Sequence, residues 1–233
     1  MLLNGKNAFV TGATRGLGRE ISIFLASVGC NIYTIGRDEK KLLELQESLG
    51  ESSLGYSVCN LENVEEIKNT AQKCLSVNDI DILINCAGIF PVSTLEESSI
   101  AMYNKCFNVN VRAPFVLCKI LSERMKERKW GRIVNICSSS SYAGFKETSI
   151  YCASKHALLG LTRSLYDELK EEGIRVYSVS PGSIQTSMGL QVRNQDYDTF
   201  MRPEEIADFI VKIISYDSNM ISEEIRLNRV LIR

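Results

Sequence analysis

Hydrophobic residues occur along the chain as short continuous runs that alternate with longer stretches of mixed polarity. The runs are NAFVT (7–11), NIYTI (31–35), LGYSV (54–58), DILIN (81–85), RIVNIC (132–137), IRVYSVS (174–180) and EIRLNRV (224–230). A continuous apolar run of about four to eight residues is typical of a strand buried on both faces of a parallel sheet. The pattern therefore predicts about seven parallel strands.

The stretches between the runs carry apolar residues at helical spacing and predict amphipathic helices. They cover residues 17–29, 38–50, 63–75, about 97–128, 149–172 and 203–215. Strand–helix–strand units joined by right-handed crossovers give a doubly wound sheet. The predicted fold class is α/β, a Rossmann-type doubly wound parallel sheet with helices on both faces. No linker or low-complexity tract divides the chain, so we expect a single domain over residues 1–233.

Composition and charge narrow the function classes. The chain has 27 Lys and Arg against 28 Asp and Glu, so no basic stripe supports a nucleic-acid partner. No apolar run approaches the ~18 residues of a membrane span, and MLLNGK at the N-terminus lacks the features of a signal peptide. We therefore expect a cytoplasmic protein with no membrane partner.

The cysteine content is high but does not predict disulfides or metal binding. The eight cysteines include no CxxC pair, and His156 is the single histidine of the chain. Without a Cys/His cluster we predict no metal site. Most of the cysteines lie inside apolar runs, so we expect small buried thiols in a reducing compartment.

Between the first strand and the first helix lies TGATRGLG (11–18), with glycines at positions 12, 16 and 18. Glycine permits the tight turn and lets backbone N–H groups approach a pyrophosphate at the helix N-terminus. A glycine cluster in this context predicts dinucleotide binding.

The end of the second strand indicates which dinucleotide is bound. An acidic residue there would bind the ribose 2′-hydroxyl of NAD, but the chain has Gly36 followed by Arg37. Arg37 and Arg15 would suit a 2′-phosphate, since arginine binds phosphate in a bidentate manner. We therefore expect NADP(H) to be preferred, with NAD(H) possible. Asp38 is predicted to cap the next helix.

A tyrosine and a lysine stand four residues apart in YCASK (151–155), within a predicted helix. Residues at this spacing share a face, so Tyr151 and Lys155 form a pair that could carry acid–base chemistry. His156 points about 100° away around the helix, and we interpret it as a packing residue and not as a base.

These segments resemble the short-chain dehydrogenase/reductase family over about residues 4–186. The resemblance rests on TGATRGLG, on NCAG (85–88) with Cys86 in place of the family's second asparagine, on Asn110 in FNVNVRAPF, on Ser138 thirteen residues before Tyr151, on YCASK, and on PGSIQT (181–186).

The resemblance implies four catalytic residues. Tyr151 would donate a proton to a carbonyl oxygen, or accept it in the reverse reaction. Lys155 would favour the phenolate form of Tyr151 and bind the nicotinamide ribose. Ser138 would stabilise the developing charge on the substrate oxygen, and Asn110 would hold a water that links Lys155 to solvent.

The resemblance also implies the cofactor site. Asn60 stands where the family often has an aspartate that bonds adenine, and its amide oxygen can accept the same bond. The cofactor-binding residues are expected to be Gly12, Thr14, Arg15, Gly16, Leu17, Gly18, Arg37, Asn60, Leu61, Asn85, Cys86, Ala87, Gly88, Tyr151, Lys155, Pro181, Gly182, Ile184 and Thr186.

The segment after PGSIQT is shorter than in many family members, and the C-terminal tail lacks their glycines. We expect residues 187–202 to form a short substrate lid. Residues expected to face the substrate are Phe90, Tyr142, Phe145, Met188 and the lid from Leu190 to Tyr197. The long helices at about 97–128 and 149–172 build dimers in relatives, so a homodimer or homotetramer is expected from the resemblance.

The resemblance leaves three functions open. The first is a general NADP(H)-dependent reductase of a small-molecule carbonyl or alcohol. The second is a 3-oxoacyl-[acyl-carrier-protein] reductase, which docks an acidic carrier on basic residues. Lys129 retains one such charge, whereas Glu172 would repel the carrier. The third is a sensor or scaffold that binds NADP(H) without chemistry, although all four catalytic positions are filled.

Overall fold

The computed structural model describes residues 2–192 and 195–230, so residues 193–194 of the predicted lid lie outside the described part. Seven strands form one parallel sheet in the order β3-β2-β1-β4-β5-β6-β7. They are β1 (Asn7–Thr11), β2 (Asn31–Gly36), β3 (Ser53–Val58), β4 (Ile82–Asn85), β5 (Gly131–Ile136), β6 (Ile174–Pro181) and β7 (Glu224–Leu227). The predicted fold class is confirmed.

Helices cover both faces of this sheet. They are α1 (Gly16–Ser27), α2 (Glu39–Leu49), α3 (Val64–Leu75), α4 (Ile100–Phe107), α5 (Ala113–Glu127), α6 (Ser149–Leu169) and α7 (Pro203–Ile214). Asp38 caps α2 as predicted, because its side chain accepts a hydrogen bond from the N–H of Lys41. Among the described residues, no helix combines the length and the apolar character needed to cross a bilayer.

The helix predicted over about 97–128 is interrupted. A π-helical turn, Asn108–Arg112, separates α4 from α5. There the N–H of Ala113 donates to the carbonyl of Asn108, five residues earlier. Such turns often occur at functional sites, and this one contains Asn110.

The sheet order reverses between β1 and β4, and this reversal positions the site. The chain leaves β1 toward β2 and β3, then returns to place β4 on the other side of β1. Ligands of open α/β sheets bind at such a switch point, outside the carboxyl ends of the strands. The register pairs Thr11 with Asn85, so the glycine turn and the NCAG turn leave the sheet side by side.

Two hydrophobic clusters hold the layers together, one on each face. The first includes Val10, Ile21 and Ile210, and the second includes Phe9, Leu83 and Leu121. Seven of the eight cysteines are buried free thiols, as predicted, and Cys86 is partly exposed.

Candidate active site

A cleft of about 1070 Å³ opens at the carboxyl edge of the sheet, above the switch point. Three of the four predicted catalytic residues, Ser138, Tyr151 and Lys155, line it. Of the predicted cofactor-binding residues, all except Asn85 line it as well. The sequence segments that were far apart in the chain therefore meet at one surface.

The glycine turn is packed so closely that larger residues do not fit. Gly12 has a φ of 69°, and a Cβ atom there would lie 2.8 Å from the Cα of Ala87. At Gly18 a Cβ atom would lie 2.4 Å from the carbonyl oxygen of Gly12. Gly16 begins α1 and also has a positive φ, of 54°. Glycines at the start of a helix let a dinucleotide pyrophosphate approach the backbone N–H groups closely.

Position 36 has little room for the carboxylate that selects NAD, because the side chain of Thr14 would have to move. A Cβ atom at Gly36 would lie only 2.5 Å from the Cγ2 of Thr14. Arg15 and Arg37 are exposed and line the same end of the cleft. Within residues 2–192 and 195–230, neither guanidinium has a hydrogen-bond or ion-pair partner. Two free cations fit a 2′-phosphate, and the neighbouring carboxylate of Asp38 is engaged by Lys41, which lies 3.8 Å away.

Asn60 lines the cleft, and its side chain also forms a hydrogen bond with the backbone nearby. Its Oδ1 atom accepts a hydrogen bond of 3.1 Å from the N–H of Glu62. An amide oxygen has two lone pairs, so one is left for the predicted contact with adenine.

Lys155 is fixed at the floor of the cleft. Its Nζ atom donates a 2.7 Å hydrogen bond to the carbonyl of Ile136, the last residue of β5. The residue is only 5 % exposed, and Nζ lies 5.8 Å from the ring centroid of Tyr151. Because the strand anchors it, the ammonium keeps its place beside the phenol without a carboxylate partner.

Tyr151 itself is held from the opposite wall. Its ring is 8 % exposed and meets the ring of Phe90 edge to face, with the centroids 4.6 Å apart. Such pairs restrict the orientation of a ring. Ser138 lies directly after β5 and Cys137, where its Oγ accepts a 3.1 Å hydrogen bond from the N–H of Ser140. The hydroxyl proton of Ser138 remains available to donate.

Asn110 does not line the cleft, and its predicted role in holding a relay water stays a prediction. It is fully buried, and its Oδ1 accepts a 2.9 Å hydrogen bond from the N–H of Ile89. Its Nδ2 donates to the carbonyl of Ile89 at 3.0 Å and to the Oγ of Ser154 at 3.0 Å. The side chain thus holds the loop after NCAG, and the second lone pair of its Oδ1 is left to accept a bond from a relay water.

Asn85, predicted to bind the cofactor, lies behind the cleft. Its Nδ2 donates 2.8 Å to the Oδ1 of Asn135, whose own Nδ2 donates 2.9 Å to the Oγ1 of Thr162. This chain of buried bonds ties β4 and β5 to α6, which carries the Tyr151–Lys155 pair. The side chain of Asn85 is directed into these buried bonds and does not line the cleft, so its part in cofactor binding stays a prediction.

Thr11 shapes the NCAG turn and was missed at the sequence level. Its Oγ1 accepts hydrogen bonds of 3.0 Å from the N–H groups of both Cys86 and Ala87. The signal available in the sequence was its place as the last residue of β1, directly before Gly12. Hydroxyl residues at a strand end commonly bond neighbouring backbone groups.

The thiols near the cleft are not nucleophiles near neutral pH. Desolvation raises the pKa of Cys86 to about 12 and that of Cys137 to about 11, although the positive charge of Lys155 acts in the opposite direction. Both groups are therefore protonated.

The substrate end of the cleft combines apolar and polar side chains. Phe90, Phe145 and Met188 line it as predicted, together with Val92 and Val192. Tyr142, Leu190 and Tyr197 are not among its lining residues. The hydroxyl of Tyr142 instead donates to the Oε1 of Glu224 at 2.9 Å.

His156 is exposed and not a packing residue, which corrects the expectation from helical geometry. Its Nδ1 lies 2.8 Å from the carbonyl oxygen of Cys152, and the ring does not line the cleft. The Tyr151 phenol, the Lys155 ammonium and the Ser138 hydroxyl meet in the cleft. A phenol beside a fixed cation, with a hydroxyl donor in the same cleft, suits proton transfer to a carbonyl oxygen.

Comparison with known proteins agrees with this arrangement. The sequence profile of a family described as short chain dehydrogenase matches residues 6–197. The chain is 31 % identical to the 3-oxoacyl-[acyl-carrier-protein] reductase FabG of Rickettsia prowazekii over 229 residues, which covers 94 % of this chain and 93 % of that one. It is 36 % identical to an uncharacterized oxidoreductase of Thermotoga maritima over 197 residues, covering 83 % and 77 % of the two chains.

A solved structure is similar over its whole length. It is a metagenomic short-chain oxidoreductase in complex with NADP, with a TM-score of 0.85 and 28 % sequence identity. The match covers 99 % of this chain and 100 % of that chain.

Proposed function

Because the chain belongs to the short-chain dehydrogenase family and is therefore an oxidoreductase acting on CH–OH or C=O groups, we propose that it is an NADP(H)-dependent carbonyl reductase. The substrate is a small-molecule ketone or aldehyde, or the corresponding alcohol in reverse. The observation that carries the proposal is the Tyr151–Lys155 pair, with Lys155 anchored on Ile136 and Ser138 in the same cleft.

The protein's own groups handle the proton. In the reductive direction the Tyr151 hydroxyl donates its proton to the carbonyl oxygen, and in the oxidative direction the phenolate accepts it. The Lys155 ammonium favours the phenolate through its charge, and its bond to Ile136 keeps it in place. Ser138 donates a hydrogen bond to the same substrate oxygen. When bound, NADPH supplies the hydride.

The choice of NADP(H) over NAD(H) is supported by the cleft end around Gly36. Arg15 and Arg37 would bind the 2′-phosphate, and the position at the end of β2 that selects NAD is occupied by Gly36 and not by an acid. The solved metagenomic relative is itself a complex with NADP. Gly12, Gly16 and Gly18 would bring backbone N–H groups to the pyrophosphate.

The test compares the wild type with Tyr151→Phe. NADPH binding is measured by fluorescence titration, and turnover by the loss of NADPH absorbance with a panel of ketones and a short 3-oxoacyl thioester. We expect Tyr151→Phe to bind NADPH with unchanged affinity and to lose turnover by at least about 10²-fold. Turnover that survives in Tyr151→Phe contradicts the role of the tyrosine. A wild type that binds NADPH and reduces no carbonyl indicates a sensor.

The acyl-carrier-protein reductase is a second candidate, favoured by the relative from Rickettsia prowazekii. The surface charge weighs against it. Lys129 forms an ion pair with Glu172, and this bond lowers the pKa of Glu172 below its ordinary value. Since the lysine is neutralised, this surface offers an acidic carrier little attraction. We therefore expect the enzyme, in the same assay, to reduce a carrier-linked substrate no faster than the free thioester.

We also propose that residues 187–202 act as the substrate lid and that the protein is a homodimer or homotetramer. The lid proposal is supported by Met188, Val192 and Gln195, which line the cleft.

The proposal of an oligomer is supported by the surface of α5, where Phe115 is 48 % exposed, whereas Leu121 is fully buried in the core. Exposed apolar side chains on one helix favour a second copy as the partner. Eight free thiols favour a reducing compartment such as the cytoplasm.

A further inference from the structure

The segment after β7 contacts the lid segment through one arginine. The Nη1 atom of Arg229 donates a 2.8 Å hydrogen bond to the Oγ1 of Thr199, and its Nη2 donates a 2.6 Å bond to the Oε1 of Gln195. The guanidinium carbon also lies 5.0 Å from the ring centroid of Phe200. One side chain therefore contacts three residues of the lid.

The other side of the lid is bonded to the loop after β6. The Oγ of Ser183 donates a 3.2 Å bond to the same Oε1 of Gln195. Further along, the N–H of Met201 donates to the carbonyl of Ser183 at 3.1 Å, and the N–H of Gln185 donates to the carbonyl of Met201 at 2.9 Å. Gln195 thus lies between two donors, one from each side.

The sheet register brings Arg229 to this place. β7 runs parallel to β6 with Pro181 opposite Leu227, and the N–H of Gly182 donates 2.9 Å to the carbonyl of Leu227. β7 therefore ends at the carboxyl edge of the sheet, beside the cleft. Arg229, two residues beyond Leu227, reaches across the lid from that edge.

We infer that Arg229 is a positioning residue that sets Gln195 at the substrate end of the cleft. Both Gln195 and Ser183 line the cleft. Because Arg229 and Ser183 occupy the Oε1 of Gln195, the amide nitrogen of that side chain is left to donate to an acceptor on the substrate. This inference rests on the proposed function, since it assigns a substrate contact to the same cleft.

The test uses Arg229→Ala, Arg229→Lys and Gln195→Ala, with Arg226→Ala as the matched control. Arg226 belongs to β7, but its guanidinium lies over the ring of Tyr142, 4.3 Å from the centroid, and away from the lid. Two readouts are taken: hydrogen–deuterium exchange of the amides of residues 195–201, and the KM for the carbonyl beside kcat and the Kd of NADPH.

Arg229→Ala is expected to speed exchange in residues 195–201 by about tenfold and to raise KM by a similar factor, because two charge-assisted hydrogen bonds are lost. The Kd of NADPH stays within about twofold, and kcat falls less than KM rises. Arg229→Lys is expected to give an exchange rate and a KM between those of the wild type and Arg229→Ala. An ammonium keeps the charge but lacks the planar group that reaches both acceptors. Gln195→Ala is expected to raise KM for the carbonyl. Combined with Arg229→Ala in a double variant, it should raise KM little further, because both changes remove the same interaction.

Three results would overturn the inference. The first is unchanged exchange in Arg229→Ala. The second is an equal loss of NADPH affinity and substrate affinity, which indicates general destabilisation. The third is an equal effect of Arg226→Ala. If the wild type reduces no carbonyl, the proposed function fails separately, and the exchange comparison alone decides whether Arg229 holds the lid.

Discussion

At the scale of single residues, the proposed preference for NADP(H) depends on Arg37. Its guanidinium is exposed at the cleft end around Gly36, and it has no partner within the described residues. We expect Arg37→Ala to weaken NADPH binding about tenfold, because a charge-assisted bond to the 2′-phosphate is lost. The Kd of NADH stays within about twofold, since NADH lacks that phosphate. Fluorescence titration of both dinucleotides measures the two constants.

A matched control for this variant is Arg19→Ala. Arg19 lies on α1 outside the cleft and pairs with Glu20 at 3.2 Å. Its removal tests the general effect of losing one positive charge from the same region. Equal weakening of NADPH and NADH binding in Arg37→Ala would show that the residue does not recognise the phosphate.

Residues whose chemistry is local were predictable from the sequence, and residues whose role depends on orientation were not. Gly12 and Gly18 fulfil a backbone requirement that any strand–helix turn of this kind imposes. Asn85 and Asn110 were assigned to the site, but their side chains are directed into buried hydrogen bonds. Strand register and the π-helical turn determine that direction, and neither follows from the local sequence.

At the scale of elements, the central strands were predictable because each is one buried apolar run, whereas the edge strands β3 and β7 are only partly buried. β1 occupies the predicted residues 7–11, whereas β7 ends at Leu227, three residues before the predicted end. The helical stretch at 97–128 shows what periodicity misses, since a π turn inserts one residue without changing the apolar pattern. Only hydrogen bonding across Asn108 and Ala113 reveals it.

The attachment of β7 to α6 predicts a dependence of stability on pH. Glu224 accepts hydrogen bonds from the Nε of Arg163 at 2.8 Å and from the hydroxyl of Tyr142 at 2.9 Å. The bond from Arg163 lowers the pKa of Glu224 below its ordinary value, against the opposing effect of burial. A depressed folded-state pKa stabilises the fold above the unfolded-state value of about 4.3 and ceases to do so as pH falls through the folded-state value.

Glu224→Gln is therefore expected to lower the free energy of unfolding at pH 7 by about 0.5–1 kcal/mol, because the ion pair is partly exposed. The difference from the wild type should shrink as the pH falls below about 4.3. Urea unfolding at a series of pH values measures it, with Glu205→Gln as the control for an exposed pair, Arg202–Glu205. A difference that grows toward acid pH would contradict the assignment.

At the scale of the whole molecule, the sheet order and the cleft follow from the topology. The reversal of strand order beside β1 forms the cleft. The residues that line it come from segments as far apart in the sequence as Gly12 and Ser183. A repeated strand–helix pattern with right-handed crossovers predicts such a crevice. The contact of the C-terminal segment with the lid was not predictable, because Arg229 stands in a tail without a recognisable motif.

The surface of α4 and α5 predicts how copies of the chain associate. Ile100 and Phe115 are 76 % and 48 % exposed, and the ring of Tyr103 stacks on that of Phe107 with the centroids 4.3 Å apart. Burial of an aromatic side chain between copies stabilises an assembly by about 1.5–3 kcal/mol. Phe115→Glu replaces that gain with a buried charge, so we expect a species of lower mass in light scattering coupled to gel filtration.

The control for this variant is Leu43→Glu, which places the same charge on a side chain of α2 that is 45 % exposed. Leu43 lies on a different helix, so its variant should keep the mass of the wild type. Phe115 is exposed in the single chain, and its substitution should therefore leave the thermal unfolding of a monomer nearly unchanged. Equal masses for wild type and Phe115→Glu would mean that this face of α5 is not where copies meet, and the exposed rings would then need another partner.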